Sequence, residues 1–214
     1  MNRIPKRHFW EWFKRHHQEY LGLNKQSKKE AGYWLSELNA HLRAYCKFFT
    51  FSLVCQDKEA ATLTITVKGK VSHFKMAEAF VATAPEIPGW TILALEDPMP
   101  VEFLWDKQME DAGIHPGELY FSFAGDDPEH ADIIVYHPLC TEKNERLFLQ
   151  FANTAVYHLL GERVFGMNIG YLEVANLSSA RSKNVQKLEA LPDCIGSRRS
   201  SMVIDGNGRL LSMD

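Results

Sequence analysis

The chain has 214 residues, a formal net charge of −3, 45% hydrophobic and 24% charged residues. That length holds one domain with a real core, or one domain with an added helical arm. The composition excludes extensive disorder away from the ends, and no apolar run approaches the ~18 residues of a membrane-spanning helix.

The charge is unevenly spread. Residues 1–30 carry eight Lys/Arg against three Asp/Glu, a net of +5, and the remainder carries sixteen against twenty-four, a net of −8. Segment 95–132 holds eleven acidic residues and Lys107 as its single Lys/Arg. A basic arm that neutralises an acidic body leaves no basic surface for nucleic acid, so no nucleic-acid partner is expected. The basic start, "MNRIPKRHFWEWF", has its aromatic cluster interrupted by charges and does not read as a secretory signal. Cys46, Cys55, Cys140 and Cys194 form no Cys-x-x-Cys pair and read as reduced thiols of a cytoplasmic protein.

From about residue 8 to 46 the periodicity predicts a helical hairpin. Phe9, Trp10, Trp12, Phe13, His16, His17, Tyr20 and Leu21 share half of one helical wheel. Ala31, Trp34, Leu35, Leu38, Leu42 and Tyr45 form the stripe of the second helix. The period then changes to two. "FFTFSLVC" and "TLTITV" predict strands at 48–55 and 62–67, with Leu63, Ile65 and Val67 on one face. "SHFKMAEAFVATA" returns to helical spacing, with Ser72 as candidate N-cap. Pro85 should end that helix, because it disfavours helical geometry at Ala84. Ile87-Pro88-Gly89-Trp90 has the residues of a type II turn, and Trp90 opens the strand "WTILAL" while anchoring the turn to the core.

The short apolar piece "VEFLW" and an acidic link follow. Strands are predicted at "ELYFSFAG" and "DIIVYHP", with the loop "DDPEHA" between them. A helix over roughly 142–160, with Phe148, Phe151, Ala152, Ala155 and Leu159 as its stripe, should end at Gly161. "VFGMNIGYLEVANL" supplies one more strand. Residues 1–175 therefore read as a single α+β domain. An N-terminal helical hairpin precedes a mainly antiparallel sheet with helices on one side, built from two β-β-α-β-like half-units. Residues 176–214 read as an extension, with a terminal hairpin around Asp205-Gly206-Asn207-Gly208.

"HFWEWF", "LTITVKGK", "AEAFVATAPEIPGW" and "HLLGE" together resemble a family of uncharacterised bacterial proteins, over roughly residues 9–175. The resemblance implies a bacterial, cytoplasmic α+β protein and brings no catalytic residue with it.

No phosphate-binding, dinucleotide-binding, nucleophile-elbow or His-Glu-x-x-His motif is present; no cofactor is expected and the sequence identifies no small-molecule partner. "GDDPEHADIIVYH" is the best chemical candidate. Asp126, Asp127, Glu129, His130 and Asp132 crowd one loop, and carboxylates with imidazole suit a divalent metal that activates water. A solvated loop has the same composition. His137 lies five residues beyond Asp132, about 17 Å along an extended strand, too far for the same ion. "DGNG" opens like a calcium loop but has no closing Glu. Cys140 follows His137 by three residues, a spacing that keeps the side chains apart on an extended segment. His16 and His17 read as packing residues, with an acid/base or pH-sensing pair as the alternative.

The expectation is a non-catalytic, cytoplasmic protein that binds or regulates another protein, or a homodimer. Its expected surfaces are the acidic segment, through Asp126, Asp127 and Glu129, and the aromatic first helix, through Trp10 and Trp12. The first alternative is a metal-dependent hydrolase using Asp126, Asp127 and His130, with a carboxylate or His130 as base. The second is a membrane-surface protein bound through the first helix.

Overall fold

The computed structural model describes residues 6–55, 60–103, 107–111, 113–125, 127, 130–180, 184–200, 202–204 and 210–212. The chain divides into two compact units, Met1–Glu96 and Asp97–Asp214, and the architecture is α+β.

The first unit opens with helices α1 (Lys6–Leu21) and α2 (Lys28–Tyr45). Ser27 caps α2: its side chain accepts from the Glu30 amide at 3.3 Å, and the Glu30 carboxylate accepts from the Ser27 amide at 3.2 Å. Phe9, Trp10, Phe13 and Tyr20 of α1 and Leu38, Leu42 and Tyr45 of α2 are buried, while Leu35 of the expected stripe is exposed. The Tyr20 hydroxyl donates to the Trp34 carbonyl at 3.0 Å and ties the two helices together.

Strands β1 (Thr50–Cys55) and β2 (Ala61–Thr66) pair antiparallel, with Leu53 opposite Leu63. Helix α3 (Phe74–Val81) then crosses over, so that β3 (Trp90–Ala94) pairs parallel to β2, with Ile92 opposite Leu63. Leu63 and Ile65 are fully buried on the face that packs with the helices, and Phe80 of α3 is the hub of this core. The Phe80 ring centroid lies 5.1 Å from that of Phe9, 4.9 Å from Trp10, 4.6 Å from Tyr45 and 5.3 Å from Phe49.

Ser72 does not cap α3. Lys68 and Gly69 both adopt positive φ, a 3-10 turn over Val71–His73 follows, and the helix starts only at Phe74. The Ser72 hydroxyl instead bonds the neighbouring His73 Nδ1 at 2.9 Å. At the other end α3 stops before Pro85, as expected. Gly89 has φ +78°, and the Trp90 amide donates to the Ile87 carbonyl at 3.0 Å, which closes the type II turn. Trp90 does anchor it: the indole stands edge-on to Phe13 at 4.9 Å and donates through Nε1 to His17 Nδ1 at 3.1 Å.

The second unit begins with a 3-10 turn at Val101–Phe103, a short helix α4 (Lys107–Asp111) and a second 3-10 turn at Pro116–Glu118. Strands β4 (Tyr120–Phe123) and β5 (Ala131–His137) pair antiparallel, with Phe121 opposite Val135. Helix α5 (Glu145–Asn168) crosses over, and β6 (Ile169–Asn176) pairs parallel to β5. The short β7 (Gln186–Lys187) adds to β4, giving the order β6-β5-β4-β7. Helix α6 (Leu191–Ser200) follows. Leu188, Leu191 and Ile195, from the segment expected to be an extension, lie in the same core as Ile133, Val135, Phe148 and Phe151. The terminal hairpin pairs β8 (Met202–Ile204) with β9 (Leu210–Ser212). Its Asp205–Gly208 turn lies outside the described residues.

Both units follow the expected β-β-α-β order, with two sheets in place of one. Each unit has its own mixed sheet, because a helical crossover returns the chain to the starting edge and makes the next strand parallel. Gly161 interrupts α5 where the helix was expected to end, but helical residues resume at 162 and run to 168. With φ 72° and ψ 160°, Gly161 occupies backbone space that only glycine enters without strain. Gly161→Ala should therefore lower stability by about 1–3 kcal/mol, read as a lower denaturant midpoint. An unchanged midpoint would contradict this.

Candidate functional site

The loop between β4 and β5, and both ends of β5, contain the residues singled out for chemistry. Asp126 and Glu129 lie outside the described residues. Asp127 is exposed, and its carboxylate accepts from the His130 amide at 3.1 Å. Its carbonyl accepts from Arg198 at 2.7 Å, and that guanidinium lies over the Phe123 ring at 4.5 Å. Asp127 thus shapes the loop by a side-chain turn and a tether to α6.

Asp132 serves the sheet. The β5–β6 register shifts between Ala131, opposite Ile169, and Ile133, opposite Leu172, so β6 has one residue more than β5 over that interval. A bulge of this kind leaves backbone groups out of the ladder, and Asp132 Oδ1 accepts from the Tyr171 amide at 2.8 Å. Glycine at 170 makes room for this bond: a Cβ there would stand 2.6 Å from Asp132 Oδ1 and 3.1 Å from the His130 Cβ.

His137 ends β5, at the opposite end from His130, and is 1% exposed. Its Nδ1 accepts from the Leu139 amide at 3.1 Å, and its ring packs on Phe148 at 5.0 Å. Burial lowers its pKa from the ordinary 6.5, against the opposing pull of Glu118, so the ring is neutral near pH 7. With Nδ1 accepting, the neutral ring carries its proton on Nε2. That nitrogen is buried without a hydrogen-bond partner, 3.6 Å from Glu118 Oε2. The basic lone pair of His137 is therefore already engaged by the backbone.

Residues 137–140 do not run extended as the sequence suggested. The Cys140 amide donates to the His137 carbonyl at 3.2 Å, forming a tight turn after the strand. Asn176 Nδ2 fastens this turn to the end of β6 through the carbonyls of Pro138 and Cys140, each at 2.8 Å. The Cys140 thiol is buried, and burial followed by the Glu145 charge raises its pKa, so it is not an activated thiolate.

Among the described residues no three His, Cys, Asp or Glu side chains are grouped to hold a metal ion. Asp127 and His130 share the loop; Asp132 is committed to β6, and His137 is at the far end of β5.

The aromatic first helix faces its own unit. Trp10 is 2% exposed, and its Nε1 donates to the Phe80 carbonyl at 3.1 Å. Trp12 is half-buried and stacks on His41 at 3.9 Å. Trp10 thus offers no surface to a partner or a membrane, because its ring completes the core around Phe80. His16 sits between Trp12 and Trp34, 5.5 Å from each ring, and His17 accepts from Trp90. Burial lowers the pKa of both His17 and His41.

One feature escaped the sequence reading. Val101, Glu102, His115 and Pro116 line an open depression of about 270 Å³ between the two 3-10 turns of the second unit. Phe103 in the first turn is 72% exposed and Met99, just before it, 38%. Its only signal was the apolar "VEFLW" inside an acidic stretch. Comparison of the chain with protein-family models, with curated proteins and with solved structures gives no match.

Two outcomes test these assignments. Asp132→Ala should cost about 0.5 kcal/mol by exchanging the Tyr171 bond for one to water, whereas Asp132→Asn, which keeps an acceptor, should stay near wild type in urea melts. Equal losses would show that the charge, not the bond, matters. His17, His41 and His137 are each harder to protonate in the folded chain than in the unfolded one. Their contribution to stability is present above the unfolded pKa of about 6.5 and is lost as pH falls through it toward the lower folded values. Urea midpoints should fall between about pH 7.5 and pH 5.5, and His137→Asn should flatten part of that slope. A flat profile for the wild type would refute the burial argument.

Proposed function

We propose that this is a non-catalytic, cytoplasmic protein that binds or regulates another protein. One observation supports the reading above the rest: three of the side chains singled out for chemistry accept hydrogen bonds from the backbone. Asp127 takes the His130 amide, Asp132 the Tyr171 amide and His137 Nδ1 the Leu139 amide. A general base or a metal ligand at His137 needs that same lone pair, while each aspartate keeps its second oxygen and is tied to the backbone through one.

The surface that suits binding is the acidic segment of the second unit. It combines exposed carboxylates with Phe103 and Met99, two exposed apolar side chains four residues apart, and aromatic residues and methionine are enriched at interfaces. The resemblance of the Trp10 and Trp90 segments to uncharacterised bacterial proteins supports a bacterial cytoplasmic setting. Among the described residues no helix is long and apolar enough to cross a membrane.

Elemental analysis of the purified, untagged protein, with thermal melts in the presence and absence of EDTA, tests the reading. Sub-stoichiometric metal and superimposable melts are expected. Stoichiometric metal, with a melt lowered by EDTA and by His130→Ala, would replace the binding reading with metal-dependent hydrolysis.

A further inference from the structure

We propose that the end of the β1–β2 hairpin next to α3 binds a phosphate group, held by Lys47 and Lys70 at the ring of Phe48. The site lies wholly in the first unit and is independent of the acidic surface of the second. Three observations carry it.

The first is convergence. Thr50 of β1 stands opposite Thr66 of β2, so the link before β1 and the turn after β2 lie at the same end of the hairpin. That turn has positive φ at both central residues, Lys68 and Gly69, and the Lys70 amide donates to the Val67 carbonyl at 3.3 Å, the type I′ pattern. It brings the Lys70 ammonium to 4.6 Å from the centroid of the half-buried Phe48 ring, and Lys47 reaches the same ring at 5.0 Å. The His73 ring packs against Phe48 as well, with centroids 4.3 Å apart.

The second is charge left over. The sequence has no Asp or Glu between Glu37 and Asp57, and none between Glu59 and Glu78. The Lys68 ammonium is taken by the Glu96 carboxylate at 3.3 Å, whereas among the described residues Lys47 and Lys70 form no ion pair. Sharing one ring, their ammoniums lie within a Debye length of each other, about 10 Å at 0.1 M salt. Helix α3 adds to the surplus: its first turn carries no acidic residue and does carry Lys75, a cation where the helix dipole favours an anion. Choices that are each locally unfavourable are expected at functional sites, and one bound anion would offset them together.

The third selects the anion. Lysine presents a point charge on a flexible stem, so both heads can close on a tetrahedral group, whereas a planar carboxylate is matched by the arginine fork. A phosphate ester also brings close to two charges at neutral pH, one for each ammonium. Ser72 Oγ and His73 Nδ1 are 2.9 Å apart. With the hydroxyl donating, the neutral ring carries its proton on Nε2, a further donor beside the lysines. Two ammoniums at one ring suit a single phosphate, not the run of phosphates along a nucleic acid.

The test has two arms, both on the full chain. Inorganic phosphate is titrated at constant ionic strength and followed by the backbone amide resonances, with saturable shifts expected at Val71, Ser72 and His73. Lys47→Ser and Lys70→Ser should each weaken binding about fivefold or more. Lys70→Arg should retain it, and Lys29→Ser, at the other end of α2, should leave it unchanged. Lys47 and Lys70 are exposed, and urea midpoints of the serine variants without phosphate should match or exceed wild type, since a like charge is removed. The second arm offers phosphatidylcholine vesicles with and without phosphatidic acid. Co-sedimentation that needs both phosphatidic acid and the two lysines assigns the phosphate to a lipid headgroup; binding in solution alone assigns a soluble phosphate ester. No saturable shift and no vesicle binding would overturn the site, as would equal losses from Lys29→Ser and Lys70→Ser.

Discussion

A strand that pairs parallel to its predecessor requires the chain to travel back the length of the sheet, and in both units a helix makes that journey. This crossover is the constraint on which the rest depends. In the first unit α3 returns the chain from β2 to β3, and in the second α5 returns it from β5 to β6. The helix covers one face of the strands it joins, so each core gathers between that face and the helix, around Phe80 in one unit and around Phe148 and Phe151 in the other. The burial of such large aromatic side chains is the principal favourable term. The crossovers also decide where the chain needs unusual backbone. Gly89 supplies a positive φ at the turn into β3, and Gly161 supplies one inside the returning helix.

The same constraint accounts for what the polar side chains do. Parallel strands of unequal registration leave amides out of the ladder at bulges and at strand ends, where a nearby side chain can accept from them. Asp132 meets the amide at the β6 bulge, His137 the amide just past the end of β5, and Asn176 fastens the following turn by two carbonyls. Residues that look like a catalytic cluster in sequence are thereby distributed along a strand as acceptors, each facing a different part of the backbone.

The parts of the fold that were legible in the sequence are those set by local periodicity and local turn chemistry. Both N-terminal helices, the alternation of Leu63 and Ile65, the stop before Pro85, the type II turn at Gly89 and the anchoring role of Trp90 all follow from residues close together in the chain. What was not legible depends on partners distant in sequence. Trp10 looks available on a helical wheel until the Phe80 carbonyl, seventy residues on, accepts from its indole N–H. Strand direction depends on the path of a helix, not on alternation. The place of residues 186–200 depends on pairing with β4 and packing against α5. Ser72 satisfied the local rule for a cap, but the positive φ of Lys68 and Gly69 redirected the chain before a helix could begin there. The depression at Val101 was hidden for the same reason, since its walls come from two turns separated by α4.

Amide hydrogen exchange at Leu139 and Tyr171, measured by NMR on the intact protein, asks most directly whether the reactive side chains are committed to the backbone. If they are, both amides exchange slowly, comparably with their neighbours in the β5–β6 ladder, although neither relies on a backbone acceptor. If instead both exchange at the rate of an open loop, the Asp132 carboxylate and the His137 imidazole are not held as backbone acceptors, and the central claim fails.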